Sequence, residues 1–255
     1  MTTTLPKFAF NGDLTQGQKQ FYDTYGFIIY KEALSQQEQA TIIDEIDDLE
    51  RRTLAKEIPS TDIDDITPMS ITPEGKPFLH RLPYFTQYSP QARALIETKK
   101  FLAVGKKLLA EHAWMLTDTM HGTMLQKKLV APRSQYASIH WHIDFRSNHA
   151  LAPVISMGVY LDPSTVANGC LLVIPGSHRF PPGKYLPPAV PVEVEPGDVI
   201  CHSSLLYHAS THPTEIGAIR RTLYLYVSAG EYPGIGLPFS GSETKKSVRT
   251  LFAGH

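Results

Sequence analysis

Hydrophobic residues recur at helical spacing through the first part of the chain and gather into short runs after Trp114. Phe21 and Tyr25 stand at i and i+4 behind a Thr15–Gln18 capping pair, and Gly26 follows where a left-handed cap can close the helix. Phe27 to Tyr30 is an apolar run that reads as a strand. A second capping box, Ser35 to Glu38, opens a helix whose Ile42, Ile43, Ile46 and Leu49 form one core-facing stripe. Ser89-Pro90 sets an N-cap before a first-turn proline and predicts helix to roughly Glu111. Between these, residues 56–78 carry Pro59, Pro68, Pro73 and Pro77 with little periodicity. They read either as a lid or binding loop or as a disordered insertion.

From Trp114 the pattern changes to strands: Met115 to Leu129, Val154 to Leu161, Cys170 to Ile174, Val190 to Val194, Asp198 to Cys201 and Arg220 to Val227. Turn chemistry separates them at Asp162-Pro163, Asn168-Gly169, Pro175-Gly176, Pro181-Pro182-Gly183 and Pro196-Gly197-Asp198. Many short strands at this spacing predict a sandwich or barrel with the early helices packed outside it. The expectation is one domain over 1–255: a helical flank over 1–113, a β core over 114–228 and a C-terminal tail over 229–255.

Composition narrows the function classes. Of 255 residues, 42% are hydrophobic and 19% charged, as in an ordinary globular protein. Twenty-four basic against twenty-five acidic residues give a net charge of −1, which argues against a nucleic-acid partner. No stretch reaches about 18 apolar residues, so no membrane span is expected, and MTTTLPKFAF lacks the basic and apolar regions of a signal peptide. Cys170 and Cys201 could make one bridge at most and belong to no CxxC pair, which fits a reducing cytoplasm.

The chain has no G-x-G-x-x-G, Walker A, G-x-S-x-G or H-E-x-x-H sequence, so nucleotide-fold, serine-hydrolase and zincin chemistry lack a starting point. Eleven histidines remain, concentrated between His140 and His212. In His142-Ile143-Asp144 the two outer side chains would share one face of a strand and could reach one ion. A second histidine from a distant strand would complete two His and one carboxylate, leaving three coordination positions open, as in non-haem Fe(II) oxygenases. His202, His208 and His212 compete for that third place. Twelve residues past His208, Arg220 opens a strand on which Arg220, Thr222, Tyr224 and Tyr226 share one face. Arg221, Leu223, Leu225 and Val227 share the other. A guanidinium among hydroxyls on an inward face can grip a carboxylate.

Taken in order, these elements resemble the phytanoyl-CoA dioxygenase family of Fe(II)- and 2-oxoglutarate-dependent oxygenases. The motifs that carry the resemblance are Phe21 through Phe27, Thr123-Met124-Leu125, Trp141-His142-Ile143-Asp144, and Asn168-Gly169-Cys170 running into Pro175-Gly176-Ser177-His178. Pro196-Gly197-Asp198 and His208-Ala209-Ser210 ahead of Arg220 complete the series. The resemblance implies a double-stranded β-helix (a cupin-like jelly roll, mainly β with flanking helices) with iron at one mouth of the barrel. It implies His142, Asp144 and His208 as metal ligands, with His202 a non-ligand histidine of the preceding strand. Arg220 would pair with the distal carboxylate of 2-oxoglutarate and Ser210 would be the neighbouring hydroxyl. Met124 and Tyr160 would line the co-substrate pocket. Three departures stand beside the match. The His208–Arg220 gap is one residue longer than usual, so Arg221 is an alternative anchor. Ala209 stands where the family often has Gly. The assisting basic residue is either Arg81 or Lys128.

The resemblance further implies oxidation of a C–H bond of a small-molecule substrate by O2, with release of succinate and CO2. The carboxylate of Asp144 favours hydroxylation, desaturation or ring chemistry over halogenation. Glu57 to Pro77, Phe145 to Ala152 and the tail from Glu231 are expected lid pieces, and Arg146 and His149 are candidates for holding a substrate anion. The expected substrate is a natural product or an amino-acid-like metabolite. The rival classes are a cupin-like metalloenzyme that does not use 2-oxoglutarate and a non-catalytic β-sandwich binding module.

Overall fold

The computed structural model describes residues 5–11, 13–58, 69–71, 77–82, 85–116, 123–128, 138–180, 188–215 and 217–231, with the backbone alone described at 69–71, 78 and 123–128. The Pro-rich residues 59–68 and 72–76, the turn at Pro181-Pro182-Gly183 and the tail beyond Glu231 lie outside the described residues.

The chain opens with β1 (Phe8–Ala9), α1 (Gln16–Tyr25), β2 (Phe27–Lys31) and α2 (Gln36–Leu54). Both predicted capping boxes are formed: Thr15 accepts from the Gln18 amide and Ser35 from that of Glu38, with the reciprocal side-chain bonds in place. Gly26 caps α1 at φ 80°, where a Cβ would be strained. Next come β3 (Met69–Ile71), β4 (Pro77–Leu79), β5 (Arg81–Leu82), α3 (Phe85–Tyr88), α4 (Pro90–Glu97) and α5 (Lys100–Leu108). The single helix expected after Ser89 is thus two, divided at Lys99, whose φ is 59°. The reason lies in the buried faces. Leu95 and Val104 both face the core, yet nine residues of one continuous helix would set them about half a turn apart. The left-handed residue re-aims the second segment.

The later strands are β6 (Trp114–Met115), β7 (Thr123–Lys128), β8 (Val154–Tyr160), β9 (Leu171–Val173), β10 (Val190–Val192), β11 (Val199–Ser203), β12 (His208–Ser210) and β13 (Ile219–Ser228). They form a large curled sheet in the order β1-β2-β11-β8-β13-β7-β5, with β6 also on β13, and a small sheet in the order β10-β9-β12. All pairings are antiparallel except that of β1 with β2. The fold is the jelly-roll class, mainly β with helices on one side. The early segment is more than a flank, because β2 and β5 are strands of the large sheet itself.

Alternation gives the large sheet two different faces. Ile28 and Tyr30 of β2, Val199 and Cys201 of β11, Ile155, Met157 and Val159 of β8, and Leu223, Leu225 and Val227 of β13 pack under the helices. Phe27, Ile29, Ile200 and Tyr160 face the small sheet and meet Leu171, Val173 and Val192. Further along the same inner face the residues become polar: His202, Ser156, Tyr226, Tyr224 and Arg220. Burial on both faces explains why β8 reads as a continuous apolar run. Cys170 and Cys201 are both buried and free. Among the described residues, no helix is long and apolar enough to cross a membrane.

The helical layer sits tightly on the sheet at Gly105 of α5, where a Cβ would fall 2.6 Å from Val227 Cγ1. Overpacking of this kind costs about 1–3 kcal/mol. Gly105→Ala is therefore expected to lower the midpoint of thermal unfolding by several degrees, read by circular dichroism, despite alanine's better helix propensity.

Candidate metal centre and active site

The site is assembled by backbone pairing between two irregular segments. His142 and His208 exchange backbone hydrogen bonds, N to O at 2.9 Å and 3.0 Å. The Ser210 amide bonds Ile139 O, and the Asp144 amide bonds Ser204 O. The His-x-Asp pair is not on a regular strand, contrary to expectation; His142 makes an isolated bridge with His208. Because residues 139–144 are tied along 204–210 at both ends, the two side chains still project to one side.

Their donor atoms converge. His142 Nε2 and His208 Nε2 each lie 3.6 Å from the same oxygen, Asp144 Oδ1. One donor atom from each of the three residues lies within 4.8 Å of the others. Both rings are turned the same way: His142 Nδ1 bonds His140 O at 2.8 Å and His208 Nδ1 bonds Leu206 O at 2.8 Å. A carbonyl accepts, so each Nδ1 carries the proton and each Nε2 lone pair faces the site, which is how histidine ligands are usually held. The donor set of two neutral imidazoles and one carboxylate fits a divalent first-row metal.

Electrostatics agree with that protonation. Burial pushes His208 down to about 3, helped by the neighbouring His202, so its ring is neutral. Burial likewise lowers His202. Burial works to raise the Asp144 carboxyl, but the His142, His202 and His208 rings beside it and the Ser156 hydroxyl hold it well below the usual carboxylate range. Ser156 Oγ donates to Asp144 Oδ2, whereas the His142 and His208 Nε2 atoms face Oδ1.

These residues form one wall of a cleft lined also by Ile139, Leu171, His202, Ala209, Ser210, Arg220, Tyr224 and Tyr226. It encloses about 520 Å³, open mouth included. His142 is at the mouth with a side chain 39% exposed, and His208 at the back with 8%. Arg220 is buried, its Nη1 reaching Ser164 Oγ at 3.5 Å and its Nε without a hydrogen-bond partner. No carboxylate pairs with it among the described residues. Arg221, the alternative anchor, points the other way and is occupied: Asp162 grips it bidentately at 2.9 and 2.7 Å, and Asp47 lies at 3.8 Å.

The other expected residues divide. Ser210 lines the cleft, its hydroxyl accepting from the Ile139 amide at 2.8 Å. Tyr160 stands one layer back in the inter-sheet core, its ring 6.0 Å below the Arg220 guanidinium and bonded to Tyr224. Met124 lies on β7 opposite Leu223, and its side chain, like that of Lys128, is outside what is described. Arg81 is near enough to Tyr226 to favour its phenolate. Among the candidate third histidines, His202 lines the cleft beside His208, ring centroids 4.6 Å apart, and His212 does not line it. Arg146 is exposed, and His149 is built into its loop, accepting from the Leu151 amide. The residue missed from sequence is Ser156. Its signal is a lone serine in the largely apolar run Val154 to Tyr160.

The sequence model of one family, phytanoyl-CoA dioxygenase (PhyH), matches residues 22–221. The chain belongs to this family. The match spans both segments of the paired site and Arg220, and it makes the protein an Fe(II)- and 2-oxoglutarate-dependent enzyme. No curated protein matches the sequence. Solved structures do. AviO1 from Streptomyces viridochromogenes Tue57 is 22% identical over 89% of this chain and 99% of its own, with a TM-score of 0.67. EctD from S. alaskensis, with bound Fe, is 22% identical over 88% and 82%, with a TM-score of 0.65. HygX from Streptomyces hygroscopicus, with nickel and 2-oxoglutarate bound, is 16% identical over 85% and 87%, with a TM-score of 0.62. At these identities the likeness is one of fold, and it establishes the jelly roll.

The depressed histidines give the metal-free protein a definite pH response. A folded-state value below the ordinary 6.5 means that the unfolded chain takes up the proton first. The stability linked to these groups is full above about pH 6.5 and is lost as pH falls toward the folded-state values. The unfolding midpoint of metal-free protein is expected to drop between about pH 7 and pH 4, and to drop less steeply in His208→Gln, measured by differential scanning fluorimetry.

Proposed function

We propose that His142, Asp144 and His208 hold Fe(II), and that Arg220 with Ser210 receives the distal carboxylate of 2-oxoglutarate. The enzyme then oxidises a C–H bond of a small organic molecule with O2. The observation that carries this reading is the buried Arg220 guanidinium, without a carboxylate partner among the described residues, in the same cleft as the His-Asp-His donors. A buried charge is costly unless an opposite charge meets it, and a dicarboxylate co-substrate would bring one.

When bound, the metal and 2-oxoglutarate supply the oxidising chemistry, with decarboxylation of the co-substrate to succinate and CO2. The chain supplies the rest. His142, Asp144 and His208 would hold the ion through three donors, fewer than a six-coordinate ion takes, so positions would be left for the co-substrate and O2. Arg220 fixes the far end of the co-substrate, with the Tyr160 ring beneath it and the Tyr160–Tyr224 bond holding that wall in place. Ile139, Leu171 and Ala209 keep water from the reacting end. The open mouth beside His142 gives a small organic substrate a way to the donors. The substrate class is a natural-product-like or amino-acid-like molecule, and the buried free thiols suit a reducing cytoplasm.

The test is anaerobic addition of Fe(II) and then 2-oxoglutarate to purified protein, followed in the visible metal-to-ligand charge-transfer region. A band is expected in wild type and none in His208→Ala. Arg220→Ala should weaken 2-oxoglutarate by about 2 kcal/mol or more, roughly thirtyfold. Arg221→Ala should leave that affinity within about threefold while lowering the unfolding midpoint, since it breaks the Asp162 pair. No band despite tight iron binding would overturn the 2-oxoglutarate assignment.

A further inference from the structure

Three strands of the large sheet place a polar row directly under the His-Asp-His donors. Ser156 of β8 stands opposite His202 of β11 on one side and opposite Tyr226 of β13 on the other. Residues in register share a face, so all three belong to the cleft side, where His202 and Tyr226 line the wall. Ser156, between them, is fully buried, and its hydroxyl is spent on Asp144.

The two oxygens of Asp144 are thereby given separate tasks. Oδ1 is the atom that both histidine Nε2 atoms face at 3.6 Å. Oδ2 accepts from Ser156. A carboxylate with both oxygens turned to an ion takes two positions, and one held by a donor at its second oxygen takes one. On the metal reading above, on which this inference rests, we propose that Ser156 is a positioning residue. It keeps Asp144 a one-oxygen ligand and so preserves the third open position that a two-point co-substrate and O2 together require. The hydroxyl comes from β8, buried at every residue and lying between β11 and β13, so its position is fixed by pairing on both sides.

The test uses Co(II) in place of Fe(II), because its visible bands report coordination number without turnover. Ser156→Ala is expected to bind Co(II) about tenfold to a hundredfold more weakly, with bands shifted toward higher coordination and weaker 2-oxoglutarate binding to the Co(II) form. The isosteric pair Ser156→Thr and Ser156→Val holds shape constant and differs in the hydroxyl. Threonine should restore the wild-type spectrum and valine should not, which keeps the test decisive even if the alanine variant folds poorly. In an Asp144→Ala background, Ser156→Ala should change Co(II) affinity by less than about twofold, because the partner through which it acts is gone. Wild-type affinity and spectrum in both Ser156→Ala and Ser156→Val would overturn the role of Ser156 while leaving the metal site standing. Failure of wild type to bind Co(II), or equal binding in His208→Ala, would overturn the metal reading itself.

Discussion

The reciprocal backbone bonds between His142 and His208 are the constraint on which the site depends. They join a segment that precedes β8 to one that follows β11, 66 positions apart by residue number. With the Ile139–Ser210 and Asp144–Ser204 bonds at either end, they fix the register of two stretches that have little regular structure of their own. Had the register slipped by one residue, His208 would point away from Asp144 and Ala209 would take its place. The same pairing carries Trp141 and Tyr207 to stack on each other at 5.3 Å, so an aromatic contact on the outside reinforces the register that the donors need.

The large sheet supplies the second requirement, a surface that is apolar on one side and chemically rich on the other. Leu223, Leu225 and Val227 anchor β13 under the helices, while Arg220, Tyr224 and Tyr226 on alternate positions face the cleft. The burial that stabilises the strand thus also sets where its polar side chains go. Gly105 extends this logic to the helical layer, since α5 reaches the sheet only because no Cβ intervenes.

Much of this was legible in the sequence, for identifiable reasons. Capping boxes and a left-handed glycine are local signals, so α1 and α2 were readable from Thr15, Ser35 and Gly26. Alternation is likewise local, and it placed Arg220 and Arg221 on opposite faces. What local pattern could not choose was which arginine lacked a partner; that depended on Asp162 and Asp47, distant in the chain. The break at Lys99 was hidden because each half of the segment is helical on its own terms, and only the packing of Leu95 and Val104 onto one core separates them. The family resemblance implies Tyr160 as a pocket residue; its face of β8 meets the small sheet, and its ring lies 6.0 Å from the Arg220 guanidinium. Ser156 escaped because a serine in an apolar strand gives no periodic signal, and its value appears only when Asp144 arrives above it.

Charge explains why these parts belong together. With the histidines neutral, the described residues of the cleft carry one carboxylate, Asp144, and one guanidinium, Arg220, that do not pair with each other. Each therefore faces the cavity uncompensated, which a low-dielectric site tolerates poorly. On the proposed reading, a divalent ion held by Asp144 would leave an excess of positive charge together with Arg220. A dicarboxylate bound to the ion at one end and to Arg220 at the other would remove that excess. Metal, Asp144, Arg220 and the dianion together would then be neutral, with no change of protonation required of another described residue of the cleft. The separation of the two protein charges is in this view a template for a ligand of matching length and charge. A rigid template is effective only if Asp144 presents one defined oxygen, so the hydroxyl of Ser156 and the guanidinium of Arg220 serve a single electrostatic arrangement from its two ends.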